Sequence, residues 1–251
     1  MSKIRVLILG GTTEASTLAK ALAVDPRYDA VLSLAGRTEK PAPQPLPTRV
    51  GGFGGAEGLA SFLHDERFDL LIDATHPFAA RISQNAAQAA TMAGLPIFCL
   101  RRAPWQAEAG DNWRHVGSVQ DAIAQLGSAP RRVFLAIGRQ EAHRADAAPQ
   151  HHFLIRSVDP VDPQPVLPQA HYILDRGPFD VEREAALLLE HRIDVVITKN
   201  SGGSATYAKI AAARRLGIEV IMIGRAAAPA IPAVATVDEA LAMINHLLPP
   251  G

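Results

Sequence analysis

Three segments place glycine, hydroxyl and basic residues where a short apolar run ends and a helical stretch begins. The first is Gly10-Gly11-Thr12-Thr13-Glu14. Glycines let a backbone approach a phosphate closely, and the free amides of a helix N-terminus supply donors and the positive end of a dipole. Threonine hydroxyls either cap the helix or bond the phosphate. The spacing departs from G-x-G-x-x-G, so a tight turn without ligand is the competing reading; nucleotide binding through these five residues is the expectation. The second segment, Asp73-Ala74-Thr75-His76-Pro77-Phe78-Ala79, lies at the carboxyl end of a strand, where open α/β sheets bind their ligands. Pro77 suits the first turn of a following helix, Thr75 is suited to cap it, and His76 stands at the cleft mouth. Arg81, one turn further on, can face an anionic substrate. The third, Lys199-Asn200-Ser201-Gly202-Gly203-Ser204, is a second polar strand–helix junction with an added lysine, hence a second anion cradle.

Arginines at other strand ends extend this pattern. An enzyme using NAD places Asp or Glu at the end of the second strand, whereas one using NADP often places Arg near the 2′-phosphate. This chain reads Ala35-Gly36-Arg37-Thr38 there, which points to Arg37 as a 2′-phosphate ligand; a solvated loop arginine is the alternative. Arg139, in Ile137-Gly138-Arg139, and Arg176, in Asp175-Arg176-Gly177-Pro178-Phe179, follow strands of the second half and can reach the same cleft.

Stacked βα units must position these residues. Apolar runs at 5–9, 30–34, 70–74 and 97–100 read as strands, with a weaker one at 49–51, and 14–24, 57–64 and 79–93 read as helices. In the second half, 133–137, 153–155, 172–174, 195–198 and 220–223 read as strands, and 119–126, 181–190, 205–216 and 237–247 as helices. Strands apolar at nearly every position imply a parallel sheet buried on both faces. The fold class is therefore α/β, in two halves that look like two copies of one architecture. Residues 101–115 interrupt the apolar pattern, which places the boundary between a 1–105 domain and a 106–251 domain. The proline-rich stretch 160–168 reads as an ordered surface loop.

Composition removes several function classes. The 25 basic and 25 acidic residues cancel, which argues against binding to nucleic acid or a membrane surface through net charge. A single cysteine, Cys99, sits in an apolar run; it cannot form an internal disulfide, and no metal-ligand spacing accompanies it, so no metal is expected. The first strand begins too soon, and is broken by glycine too early, for a signal peptide, and no apolar run approaches the roughly 20 residues of a membrane span. A cytoplasmic protein is the expectation.

Taken together, Gly10–Glu14, Gly52-Phe53-Gly54-Gly55, Asp73–Ala79, Arg102-Ala103-Pro104-Trp105, Ile137–Arg139, Arg176–Phe179, Lys199–Gly203 and Thr206-Tyr207-Ala208-Lys209 resemble the precorrin-6A reductase family over nearly the whole chain. Arg225-Ala226 departs from the family, where proline would follow the arginine. The resemblance implies two Rossmann-like domains with mostly parallel sheets and a ligand cleft between them. It implies NADPH bound mainly by the first domain, through Gly10–Glu14, Arg37, Thr75, His76 and Pro77. It further implies reduction of one carbon–carbon double bond of precorrin-6A, in cobalamin biosynthesis. The carboxylates of that tetrapyrrole suit Arg81, Arg139, Arg176 and Lys199–Gly203. His76, Tyr207 and Asp146 are the candidate proton donors, with solvent a fourth. Contact with nucleic acid or membrane is not implied, while room is left for transient contact with neighbouring pathway enzymes. Two other readings are a non-catalytic NADP-sensing module, which leaves the second cradle unexplained, and a nucleotide-sugar transferase, which has no need of Arg37.

Overall fold

The computed structural model describes residues 3–36 and 42–249. In chain order the elements are β1 (Ile4–Leu9), α1 (Thr13–Ala23), β2 (Tyr28–Leu34), β3 (Thr48–Val50), α2 (Ala56–Asp65), β4 (Leu70–Asp73), α3 (Ala80–Ala93) and β5 (Ile97–Leu100). Then follow β6 (Trp113–Val116), α4 (Val119–Ala124), β7 (Arg132–Ala136), a 3₁₀ segment (Arg139–Ala147), β8 (His152–Ser157), β9 (Ala170–Leu174) and α5 (Val181–Glu190). The chain continues through β10 (Val195–Lys199), α6 (Ala208–Leu216), β11 (Glu219–Ile223), β12 (Ala233–Val234) and α7 (Val237–Leu247). The weak strand reading near residue 50 is β3. Three elements were not legible: β6, whose polar sequence Trp-Arg-His-Val hides an edge strand; β12, too short to read; and the 3₁₀ segment, too polar for an amphipathic helix.

The chain forms two compact units, Met1–Ala103 with Ala227–Gly251, and Pro104–Ala226. The sequence-based division assigned the last 25 residues to the second domain. In the structure they complete the first unit, because β12 pairs with β5 and α7 packs beside α1.

Each unit holds one six-stranded, all-parallel sheet, ordered β12-β5-β4-β1-β2-β3 in the first and β6-β11-β10-β7-β8-β9 in the second. Counted from β1 or β7 these orders coincide: three strands run outward one way, the last of them a short edge strand from another part of the chain, and two run the other. The two halves are thus two copies of one Rossmann-like architecture, with the order reversing beside β1 and β4 in the first and beside β7 and β10 in the second.

Two-sided burial explains the unbroken apolar strands. Val6 and Ile8 pack under α1 and α7, while Leu7 and Leu9 pack under α2 and α3. Phe134, Leu154, Val196 and Met222 form the equivalent face beneath α5 and α6. No helix among the described residues is long and apolar enough to cross a membrane.

A buried histidine gives the second unit a pH dependence. His151 is 1% exposed, its Nδ1 accepting from the Arg131 amide at 3.1 Å. Burial, and secondarily the charge of Arg131, hold its pKa below the ordinary histidine value. The unfolded chain therefore binds this proton more readily. The stabilising contribution is complete above the unfolded value of about 6.5 and is lost as pH falls toward the folded one. Denaturation midpoints should drop below about pH 6.5, and His151→Gln should flatten that acid limb; an unchanged slope in the variant assigns it to other groups.

Candidate functional site

In the first unit the loops after β1 and β4 meet at the switch point. Thr12 is the N-cap of α1: its Oγ1 accepts from the Ala15 amide at 3.1 Å and donates to the Ala74 carbonyl at 2.9 Å. The hydroxyl is thereby used to cap the helix and tie the two loops, the first of the two uses open to it. Gly10 comes so close to the sheet that a Cβ would lie 2.6 Å from Leu32 Cδ1, and Gly11, at φ 116°, adopts a conformation that favours glycine. Thr13 and Glu14 then supply the first-turn amides of α1. A carboxylate at such a position opposes a bound phosphate, but Glu14 is paired with Arg102 Nη1 at 2.7 Å. The cradle therefore suits the pyrophosphate of a dinucleotide: narrow backbone, helix amides, and an acid already neutralised.

Asp73 organises the second loop. It is fully buried; its Oδ1 accepts from the Thr75 amide at 3.1 Å and hydroxyl at 2.6 Å, and its Oδ2 faces Arg101 Nη2 at 3.4 Å. Arg101 also donates to Ser83 Oγ at 3.0 Å. Thr75 thus turns back to Asp73 instead of capping α3, which begins only at Ala80 with Ala79 as an N-cap lacking a side-chain bond. Pro77 is buried in the turn ahead of α3, not in its first turn. This turn leaves His76 half-buried, its Nδ1 accepting from the Phe78 amide at 3.3 Å and its ring 5.9 Å from that of Phe78. In a neutral ring that bond leaves the proton on Nε2. Arg81 is exposed on the first turn of α3. Arg37 lies outside the described residues. Arg49 braces the glycine loop after β3, donating to the Gly51 and Gly52 carbonyls at 2.6 and 2.8 Å and stacking 3.9 Å from the Phe53 ring.

In the second unit the equivalent switch-point loops are Gly138–Glu141 after β7 and Lys199–Gly203 after β10. By topology, then, the Lys199 loop matches the His76 loop and not the Gly10 turn. The Lys199 ammonium is bound to the Glu141 carboxylate across the two strands. Arg139, half-buried, opens the 3₁₀ segment. Asn200 is buried and clamps the Trp105 backbone, accepting from its amide at 2.8 Å and donating to its carbonyl at 3.0 Å. Its side chain is therefore framework for the cradle. Trp105 Nε1 donates to Gly203 O at 2.7 Å, and Arg225 donates to the carbonyls of Asn200 and Ser201 at 2.9 and 3.1 Å. Gly202 and Gly203 both have positive φ, so the chain turns twice before α6, which starts at Ala208 and not near Ala205.

Arg176 is exposed after β9, in a loop seated against the β10 loop: Phe179 N donates to Ala205 O at 3.1 Å. The Tyr207 hydroxyl donates to Glu108 Oε1 at 2.9 Å and accepts from Arg214, which also bonds Asp111. Burial, with Glu108 beside it and against the pull of Arg214, raises its pKa. Asp146 is exposed near the end of the 3₁₀ segment, in a shallow depression with Gln120 and Ile123 of α4. The segment has by then left the Gly138 loop and is returning toward β8.

Several roles escaped sequence reading: the pairing of Arg102 with Glu14, Arg101 with Ser83, Glu141 with Lys199, and the Asn200–Trp105 clamp. Arg101 and Arg102 directly follow β5 and carry the same strand-end signal as Arg37. Glu141 carries none, because a glutamate in a polar run announces its partner only once β7 and β10 are adjacent.

A family model described as precorrin-6x reductase CbiJ/CobK matches residues 5–245. The chain is 60% identical, over 251 residues covering 100% of it and 96% of the relative, to precorrin-6A reductase of a Sinorhizobium species. It is 51% identical to precorrin-6A reductase of Rhodobacter capsulatus over 234 residues, 93% of each chain. A solved structure, CobK precorrin-6A reductase, aligns with a TM-score of 0.94 at 48% identity, covering 98% of this chain and 97% of that one. With a family match spanning both switch-point loops of both units, this chain belongs to the precorrin-6x reductase family.

Proposed function

We propose that this protein is an oxidoreductase of cobalamin biosynthesis that uses NADPH to reduce one carbon–carbon double bond of precorrin-6A to the dihydro product. The family assignment carries this reading, and the two polar switch points support it. NADPH, when bound, supplies the hydride. Gly10, Gly11 and the amides of Thr13 and Glu14 hold the pyrophosphate; Thr12 fixes the turn that presents them, and Arg102 keeps Glu14 from opposing it. Arg37 reads the 2′-phosphate. Asp73, Thr75 and Pro77 set His76 at the nicotinamide end of the site, where its Nε2 proton can reach the carbon next to the hydride acceptor. Of the three proton-donor candidates His76 is favoured, because it stands in the switch-point loop after β4, whereas Asp146 stands beyond the Gly138 loop.

Lys199, Arg139, Arg176 and Arg81, with the backbone of Ser201, Gly202 and Gly203, bind the carboxylate fringe of the macrocycle. Glu141 holds the Lys199 ammonium in place until a substrate carboxylate shares it. The test is loss of nicotinamide absorbance, which should require both NADPH and precorrin-6A. Lys199→Ala should raise KM for the tetrapyrrole about tenfold, the lower end of a charged hydrogen bond's contribution, and leave the NADPH Kd unchanged. A collapse of NADPH affinity instead assigns Lys199 to the cofactor.

A further inference from the structure

The opposite, amino-terminal edge of the second sheet carries a cluster that the reaction does not use. Register dictates it: Arg132 of β7 pairs with His152 of β8, and Leu154, two residues on, pairs with His171 of β9. In a parallel sheet paired residues point to the same side, so Arg132, His152 and His171 share one face. Phe134 and Leu154 identify it as the face covered by α5. His191 is the C-cap of that helix, and its ring lies 6.1 Å from that of His171.

These four side chains line a cavity of about 450 Å³ floored by Leu154 and Ile193. Three of the nine histidines of the chain converge there, and no acidic residue is among those lining it. Arg132 is fixed by its Nε, which donates to the His191 carbonyl at 2.5 Å, while among the described residues neither of its Nη atoms has a hydrogen-bond partner. A guanidinium anchored on one edge and open on the other matches a planar or tetrahedral oxyanion. The surrounding charges are Asp194, whose carboxylate accepts from the Arg132 amide at 2.7 Å, Arg131, which donates to the Asp194 carbonyl, and Glu190 and Arg192 flanking His191 in sequence. Among the described residues no three His, Cys, Asp or Glu are placed to hold a metal ion, so the imidazoles serve as proton-bearing donors.

We infer that Arg132, His152, His171 and His191 form a binding site for a small dianion, a phosphate or dicarboxylate group, separate from the switch-point loops. The cavity lies within the size range of small-ligand sites, about 300–1,000 Å³. The test is calorimetric titration of NADPH-saturated protein with inorganic phosphate and, separately, succinate, against sodium chloride of equal ionic strength.

Saturable binding of either probe is expected; the stronger probe distinguishes phosphate from carboxylate. Arg132→Gln should weaken it about tenfold or more, as loss of a charged hydrogen bond requires. His171→Gln, at an exposed position, should also weaken it. Binding that is absent, or undiminished in both variants, overturns the assignment.

Discussion

Replacing Glu184 with alanine should destabilise the protein by about 3–5 kcal/mol, the loss typical when one partner of a buried ion pair is removed. Arg156 of β8 and Glu184 of α5 are 7% and 4% exposed and form a two-pronged pair at 2.5 and 2.8 Å. The guanidinium also stacks 3.8 Å from the Phe179 ring and 4.8 Å from that of Phe134. Without the carboxylate a desolvated cation is left among aromatic rings. For a chain of this size the melting temperature should fall by about 6–20 °C. Glu184→Gln keeps shape and one acceptor and should lose less. Replacing both residues with apolar ones of similar volume should lose less than Glu184→Ala, because no charge is stranded. Phe179 anchors the loop that carries Arg176, so the single variant should also weaken tetrapyrrole binding. A loss below about 1 kcal/mol, the range of an exposed pair, contradicts this account of the core.

Arg37→Ala should weaken NADPH binding by roughly 10- to 150-fold and leave NADH almost untouched. The two cofactors differ only in the 2′-phosphate, so a preference arises only from residues that contact it. β2 pairs with β1, whose end carries the Gly10 turn, and Arg37 follows β2 by three residues where an NAD enzyme would carry an acid. One hydrogen bond to a charged group contributes about 1.5–3 kcal/mol, which at 1.4 kcal/mol per decade is the factor stated. Both dissociation constants should be measured for both proteins. Equal losses would make Arg37 a structural residue; no loss would pass the preference to Lys40 or another residue.

Strands that are apolar throughout, such as Leu70-Leu71-Ile72, announced a parallel sheet buried on both faces, and glycine at their carboxyl ends announced the loops. What escaped was whatever depends on partners distant in sequence. β6 reads Trp-Arg-His-Val and has a strand's identity only through pairing with β11. β12 has two residues and is defined by β5, which is why the last 25 residues looked like part of the second half. In the site the pattern repeats. Thr12 was legible because capping is local. Thr75 was misread as a cap because its actual partner, Asp73, is a buried acid whose charge makes sense only beside Arg101, 28 residues away. The Asn200 side chain clamps the Trp105 backbone, a role hidden from the sequence because Trp105 lies 95 residues before it.

The central claim is that a hydride passes from NADPH to a carbon of precorrin-6A on this protein. The most direct measurement uses NADPH carrying deuterium on the transferred position, followed by mass analysis of the tetrapyrrole. The account predicts a product two hydrogens richer than the substrate, one of them deuterium, formed in step with loss of nicotinamide absorbance and absent when the protein is omitted. A reduced product containing no deuterium, or nicotinamide loss with the tetrapyrrole unchanged, would contradict it.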